Sequence, residues 1–214
     1  MGYELISLVY PFLCRACDRF VAREQVFCSD CFSRIKKIPP SFISLTTNIS
    51  IKIYSVSDYK EPLRSLILRK KSSDRLAARQ LGEIMSRLDV GKFDYLIPVP
   101  LHWTRYARRG FNQSREIACV LSKKFDIPVV DLLKRAKRTR FQSNLSHDLR
   151  QDNVDSVFVV QRKYHDIYCA IVRGKNVLLV DDLCTTGATL KNVARPLLAG
   201  QPRSISAIVA CRVV

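Results

Sequence analysis

The sequence predicts an α/β protein: an open, mostly parallel sheet flanked by helices, with a small four-cysteine zinc ribbon at its N-terminal end. Three observations carry this. Apolar, β-branched runs alternate along the chain with segments whose apolar residues recur at helical spacing. One such run, Val177–Val180, ends in the adjacent acids Asp181 and Asp182 and passes through Thr185-Thr186-Gly187 into a helical stretch. Near the N-terminus two Cys-x-x-Cys pairs, Cys14/Cys17 and Cys28/Cys31, stand ten residues apart.

Each Cys-x-x-Cys turn brings two thiolates to one metal, and two such turns complete the tetrahedral set that Zn²⁺ prefers. With all four ligands supplied by the protein, the site is structural and has no open catalytic position. Redox dithiols or disulfides are the alternative. Ile38-Pro39-Pro40-Ser41 reads as a linker, because paired prolines stop regular structure. It divides the chain into a zinc-binding module over residues 1–40 and a second domain over residues 41–214.

Ile49–Tyr54 alternates and predicts a strand. Asp58–Leu88 predicts one or two amphipathic helices, with Leu63, Leu66, Ile67, Leu76, Leu81, Ile84, Met85 and Leu88 at helical spacings. Arg69-Lys70-Lys71 separates the two parts and reads as a solvated charge run. Asp94–Pro100 is a short apolar strand. Asn112–Phe125 is a helix that turns Ile117, Ala118, Leu121 and Phe125 inward, with Cys119 as a packing residue. Ile127–Val130 suggests a further strand. Residues 134–153 are polar, charged and weakly periodic, which predicts a long loop or a hairpin that orders on binding. Val157–Val160 and Val177–Val180 are strands, Ala188–Leu198 a helix, and Ile205–Val214 the last strand. Cys169 and Cys211 read as small strand residues, and His147 and His165 as surface residues.

The charge narrows the partners. Lys and Arg number 36 against 19 Asp and Glu, a formal net charge of +17. Such an excess suits a polyanion, whether nucleic acid, phosphate groups or an anionic membrane surface; a merely basic surface is the bland alternative. No apolar run reaches the ~18 residues that span a bilayer. The apolar start is short, without a basic leader or an obvious cleavage site, and does not read as a signal peptide. The cysteines are therefore read as metal or thiol chemistry.

The loop after Val180 is the most informative stretch. In an open α/β sheet, ligands bind beyond the carboxyl ends of the strands. A helix N-terminus there offers unpaired N–H groups and the positive end of a dipole, both suited to a phosphate. Gly187 permits close backbone approach, and the threonine hydroxyls add donors. Two carboxylates would repel the phosphate itself, but they suit the neighbouring hydroxyls of a ribose. The loop thus suggests a ribose 5′-phosphate. The alternative is a capped strand–helix turn with Thr185 or Thr186 as N-cap. Neither Gly-x-x-x-x-Gly-Lys-Ser/Thr nor Gly-x-Gly-x-x-Gly occurs. Cys184 stands near a helix start, which would lower its thiol pKa if it were exposed; a tolerant loop position is the other reading.

The stretch from Val177 to Thr189 resembles the ribose-phosphate loop of type I phosphoribosyltransferases, which bind phosphoribosyl pyrophosphate (PRPP) with Mg²⁺. Ile97-Pro-Val-Pro-Leu-His102, Arg109-Gly-Phe-Asn-Gln113, Thr139-x-x-Gln142-x-x-Leu145 and Arg150-x-x-Asn153 with Phe158 resemble the ComF branch of that superfamily, as does the four-cysteine module. The resemblance implies a type I phosphoribosyltransferase-like sheet. It implies that the Thr185–Thr189 backbone, with Thr186, Gly187 and Ala188, holds the 5′-phosphate, while Asp181 and Asp182 hold the ribose. Leu101, His102 and Arg109 would lie in the pyrophosphate and Mg²⁺ region, and residues 134–153 would form the flap. It further implies a competence protein that binds PRPP/Mg²⁺ and assists single-stranded DNA import in natural transformation. Such a protein is cytoplasmic, or peripheral at the inner membrane. The zinc module is either purely structural or also a dock for a DNA-uptake helicase or inner-membrane channel. Basic clusters carrying Arg105 and Arg108, and Lys134, Arg135, Lys137, Arg138 and Arg140, with Tyr106 and Phe141 among them, would track the strand; each is also readable as a solvated face. An active phosphoribosyltransferase in nucleotide salvage is the second reading, and a regulator that senses PRPP without turnover the third. No residue defines a base-recognition pocket, and a fold resemblance alone does not give activity.

Overall fold

The computed structural model describes residues 12–22, 25–69, 74–136 and 157–213. Residues 137–156 include Lys137, Arg138, Arg140, Phe141, His147 and most of the expected flap; they, and Lys70-Lys71, lie outside the described residues.

Eight strands are described: β1 Ser41–Ser44, β2 Ser50–Asp58, β3 Tyr95–Pro98, β4 Leu133–Arg135, β5 Phe158–Val160, β6 Asn176–Val180, β7 Leu183–Cys184 and β8 Ser204–Arg212. The main sheet runs β1-β2-β8-β6-β3, with β7 also on β8. Every pairing in it is parallel except β1 with β2. The helices are α1 Ser29–Ser33, α2 Leu63–Arg69, α3 Arg75–Met85, α4 Trp103–Arg109, α5 Gln113–Phe125, α6 Tyr168–Val172 and α7 Ala188–Leu198.

The sheet is buried on both faces, which is why its central strands are continuous apolar runs. On one face Leu178 and Val180 of β6 and Ile208 of β8 meet α2, α3 and α5 through Leu66, Leu81, Met85, Ile117 and Leu121. On the other, Val177, Leu179 and Val209 meet α7 through Leu190, Val193 and Leu197. Cys14, Phe27 and Cys31 of the N-terminal module join the first of these layers. A cleft of about 680 Å³ opens between that module and α3, bordered by Phe27, Phe32, Ile84 and Arg87.

Close approach holds α3 on α5. A Cβ at Gly82 would stand 2.7 Å from Val120 Cβ, so only glycine allows the two helices to come this near. Glu116 of α5 then ties the pair by accepting Arg75 at 3.4 Å and Arg79 at 3.0 Å. At the start of the sheet, Asp94 takes the Asn176 N–H at 2.8 Å and Lys175 Nζ at 3.2 Å, fixing β3 beside β6.

Several local expectations are corrected. Ile127–Val130 forms only a bridge from Val129 to Leu96, because it lies at the sheet edge and Pro128 lacks an N–H to continue the ladder. Leu76 faces solvent at 53 % exposure, and Cys169 lies exposed on α6 rather than on a strand. Residues 133–135 pair with β5 as one arm of a two-stranded antiparallel ribbon.

Candidate functional site

The carboxyl ends of β3, β6 and β8 meet at one edge of the sheet, and the site grows from the way their backbones are tied. After Val180 the chain steps out and returns as β7 against the same partner, β8. Asp181 N donates to Ile208 O at 3.1 Å, and Asp182 O accepts from both Ala210 N and Cys211 N, at 3.1 and 3.2 Å. The two acids are therefore fixed by backbone before any side chain acts. Asp181 is half-buried and Asp182 is 9 % exposed.

The neighbouring helix reaches the same point. Asn112 caps α5: its Oδ1 accepts Ser114 N at 3.2 Å, while its Nδ2 donates to Val99 O at 3.0 Å. The loop after β3 is thus fastened to the start of α5. Ser114 Oγ then donates to Asp181 Oδ1 at 2.9 Å, and the Asp182 N–H reaches that same oxygen at 2.9 Å. Gln113, 3 % exposed, sits beside Ser114 with a buried Nε2 that has no hydrogen-bond partner among the described residues.

On the other side, Gly187 occupies the N-cap of α7 at φ +76°, without a side-chain capping bond. Neither threonine takes the N-cap position of the alternative reading, since the left-handed turn falls on the glycine; Thr186 Oγ1 accepts Ala188 N at 3.4 Å. A Cβ at Gly187 would stand 2.9 Å from Ile43 Cδ1 on β1. Thr185, Thr186, Ala188 and Thr189 are exposed around it, so the loop offers its backbone and hydroxyls outward.

A phosphoribosyl transferase domain model matches residues 108–213. The DNA utilization protein YhgH of Salmonella typhimurium is 29 % identical over 97 % of this chain and 93 % of its own. Competence protein F of Haemophilus influenzae is 33 % identical over 68 % of this chain and 66 % of its own. Competence protein ComFC of Bacillus subtilis is 28 % identical over 94 % of this chain and 78 % of its own. The chain belongs to the ComF family of the phosphoribosyltransferase superfamily.

Within this ComF chain, the segment after Pro100 forms α4. His102 is its N-cap, with Nδ1 3.3 Å from the Thr104 N–H that it caps and 2.7 Å from Thr104 Oγ1. Gly110 closes α4 at φ +75°. Arg105, Arg108 and Arg109 crowd along it. Partial burial and then the two neighbouring guanidiniums depress the Arg109 pKa. Lys134 and Arg135 lie apart on β4, and no hydrogen bond or ion pair joins them to α4 among the described residues.

Cys184 is buried at 5 % exposure. Burial first, and then Asp181, push its thiol pKa up, so proximity to the α7 start does not activate it. Neither Ser114 nor Gln113 stood out as a site residue in the sequence. Ser114 lies 67 positions from Asp181, and no local spacing could link them.

The four cysteines do converge. Their Sγ atoms all lie within 4.8 Å of one another, and Cys17 and Cys28 are 3.7 Å apart. Tetrahedral Zn²⁺ with Zn–S bonds of about 2.3 Å requires sulfurs about 3.8 Å apart, so the residues present fit the ion. Burial raises the Cys14 thiol pKa, but N–H groups of Cys28, Ala16 and Cys17 outweigh it and hold the value at about 6; burial and the other thiols push Cys31 up to about 12. Arg19 pairs with Asp30 across the two knuckles.

Among the described residues, no helix is long and apolar enough to cross a membrane.

Proposed function

We propose that this chain binds PRPP with Mg²⁺ at the carboxyl edge of its sheet and serves the handling of single-stranded DNA during natural transformation. The observation that carries the reading is the shared anchoring of Asp181. Ser114 ties it to the capped start of α5, β8 fixes its backbone, and the Gly187 turn opens a helix N-terminus close by. Such an arrangement suits a sugar flanked by two phosphate groups. In this reading the backbone and hydroxyls from Thr185 to Thr189 hold the 5′-phosphate. Asp181 and Asp182 accept from the ribose hydroxyls. Leu101, His102 and Arg109 border the pyrophosphate. Bound Mg²⁺ would neutralise pyrophosphate charge; the chain's own share is to position the sugar and exclude water.

Residues 1–40 form a structural zinc module held by Cys14, Cys17, Cys28 and Cys31, and residues 41–214 form the phosphosugar domain with its flap at 134–153. Arg105, Arg108, Lys134 and Arg135, with Lys137, Arg138 and Arg140, supply the cationic track for the strand. The names of the YhgH and competence relatives support a role in DNA use, exercised in the cytoplasm or at the inner membrane with a helicase or channel.

Calorimetry with PRPP and Mg²⁺ tests the pocket. Wild type should bind, and Asp181→Ala/Asp182→Ala should not; an unchanged titration in the double variant removes the ribose assignment. The same loop supports transfer in nucleotide salvage, for which pyrophosphate release with some nucleobase or amine is the deciding readout.

A further inference from the structure

Helix α4 presents two exposed rings, Trp103 and Tyr106, that the phosphosugar pocket does not use. None of its seven residues is buried. Trp103 is 59 % exposed and Tyr106 54 % exposed, although large rings normally bury most of their area. One exposed aromatic is unremarkable, but two on one strip of a short helix are a surface feature. At about 100° per residue, Trp103 and Tyr106 lie about 60° apart, and Arg109 and then Arg105 continue the same arc. The His102 ring extends the strip, 6.0 Å from the Trp103 ring at an interplanar angle of 33°. Among the described residues none of Arg105, Arg108 and Arg109 pairs with a carboxylate, and α4 itself carries no acid.

We propose that α4 is a base-stacking platform for single-stranded nucleic acid. Trp103 and Tyr106 take the faces of successive bases, while Arg105, further round the same arc, and Arg108, on the opposite flank of the helix, take backbone phosphates to either side of the rings. The inference rests on the reading above, that the protein handles a single strand, and adds where the bases go. Every base has a flat face, so such a platform binds without regard to sequence. Free guanidiniums beside the rings match the charge of the backbone, which an apolar protein partner would not require. Because His102 follows directly on the loop after β3, the platform adjoins the phosphosugar edge of the sheet.

Trp103 is the single tryptophan of the chain, so its intrinsic emission reports on this helix alone. The full-length protein is titrated at low salt with a short oligodeoxythymidylate, while the anisotropy of the labelled oligonucleotide is followed in parallel. Emission should be quenched with the same midpoint as the anisotropy change. Trp103→Ala and Tyr106→Ala should each weaken binding by about fivefold or more, with circular dichroism unchanged, and Trp103→Phe should restore most of the loss. Arg105→Glu/Arg108→Glu should lower the salt slope by about 1.4 or more. If the oligonucleotide binds without quenching and Trp103→Ala binds like wild type, the platform is overturned while the strand-handling reading stands. If neither signal appears at low salt, both fall. A blue shift on anionic phosphatidylglycerol vesicles without quenching by the oligonucleotide would make α4 a membrane-surface helix and also overturn the proposal.

Discussion

Replacing Gly187 by alanine tests whether the turn into α7 is set by both backbone conformation and space. The residue sits at φ +76°, where a non-glycine residue costs about 1–2 kcal/mol. Its new Cβ would stand 2.9 Å from Ile43 Cδ1 and 3.2 Å from Ile43 Cγ2. Relieving that overlap means shifting a partly buried side chain of β1, at about 1–3 kcal/mol. The loss of unfolded-chain freedom returns about 0.4–1 kcal/mol. The net cost is then about 2–3 kcal/mol, read from urea unfolding at constant slope. Ile43→Ala removes the clash and leaves the conformational cost, so Gly187→Ala should cost only about 1 kcal/mol in that background. A cost below about 0.5 kcal/mol in wild type would show that neither constraint operates. Equal costs in the two backgrounds would remove the steric argument.

Three further outcomes are expected. The purified protein should carry about one zinc per chain, and its removal by a chelator should lower Tm, because Cys14, Phe27 and Cys31 share a core layer with Leu81 and Leu121; identical melting with and without metal would refute this. The Asn176 N–H, and after it the Lys175 ammonium, hold the Asp94 carboxyl below the usual aspartate range. Its contribution is therefore fully present above the ordinary aspartate pKa and lost as pH falls through the lowered one; Asp94→Asn should flatten the acid limb of the stability curve, and parallel limbs would count against the link. Among the cysteines outside the zinc set, brief alkylation read by mass spectrometry should modify exposed Cys169 first and spare buried Cys184 and Cys211; early labelling of Cys184 would contradict its raised pKa.

The sheet was legible where burial on both faces leaves an apolar run. Val177–Val180 became β6, and Ala188–Leu198 is helical over the very residues whose periodicity announced it. The helix over Asn112–Phe125 was readable from the helical spacing of Ile117, Ala118 and Leu121, though not the cap that Asn112 supplies. Helix α4 was not, because it buries nothing and so leaves no periodic trace. β1 was hidden behind Pro39-Pro40, with only alternate residues half-buried. The acids and the glycine turn announced themselves through composition and adjacency. Ser114 did not, because its contact with Asp181 exists only once β3, α5 and β6 have been assembled.

Strand β8 leaves a consequence for variation at a distance. It receives the chain at the acid pair, Asp181 N on Ile208 O and Asp182 O on Ala210 N and Cys211 N, and just past its end Val213 N donates to Cys184 O at 2.8 Å. It serves as a jig for a corner that it never forms itself. A change anywhere from Ile208 to Cys211 that tilts this strand would displace both carboxylates together, without touching the loop that carries them. Weak alleles of the pocket should therefore accumulate along a strand whose own side chains are buried in the core.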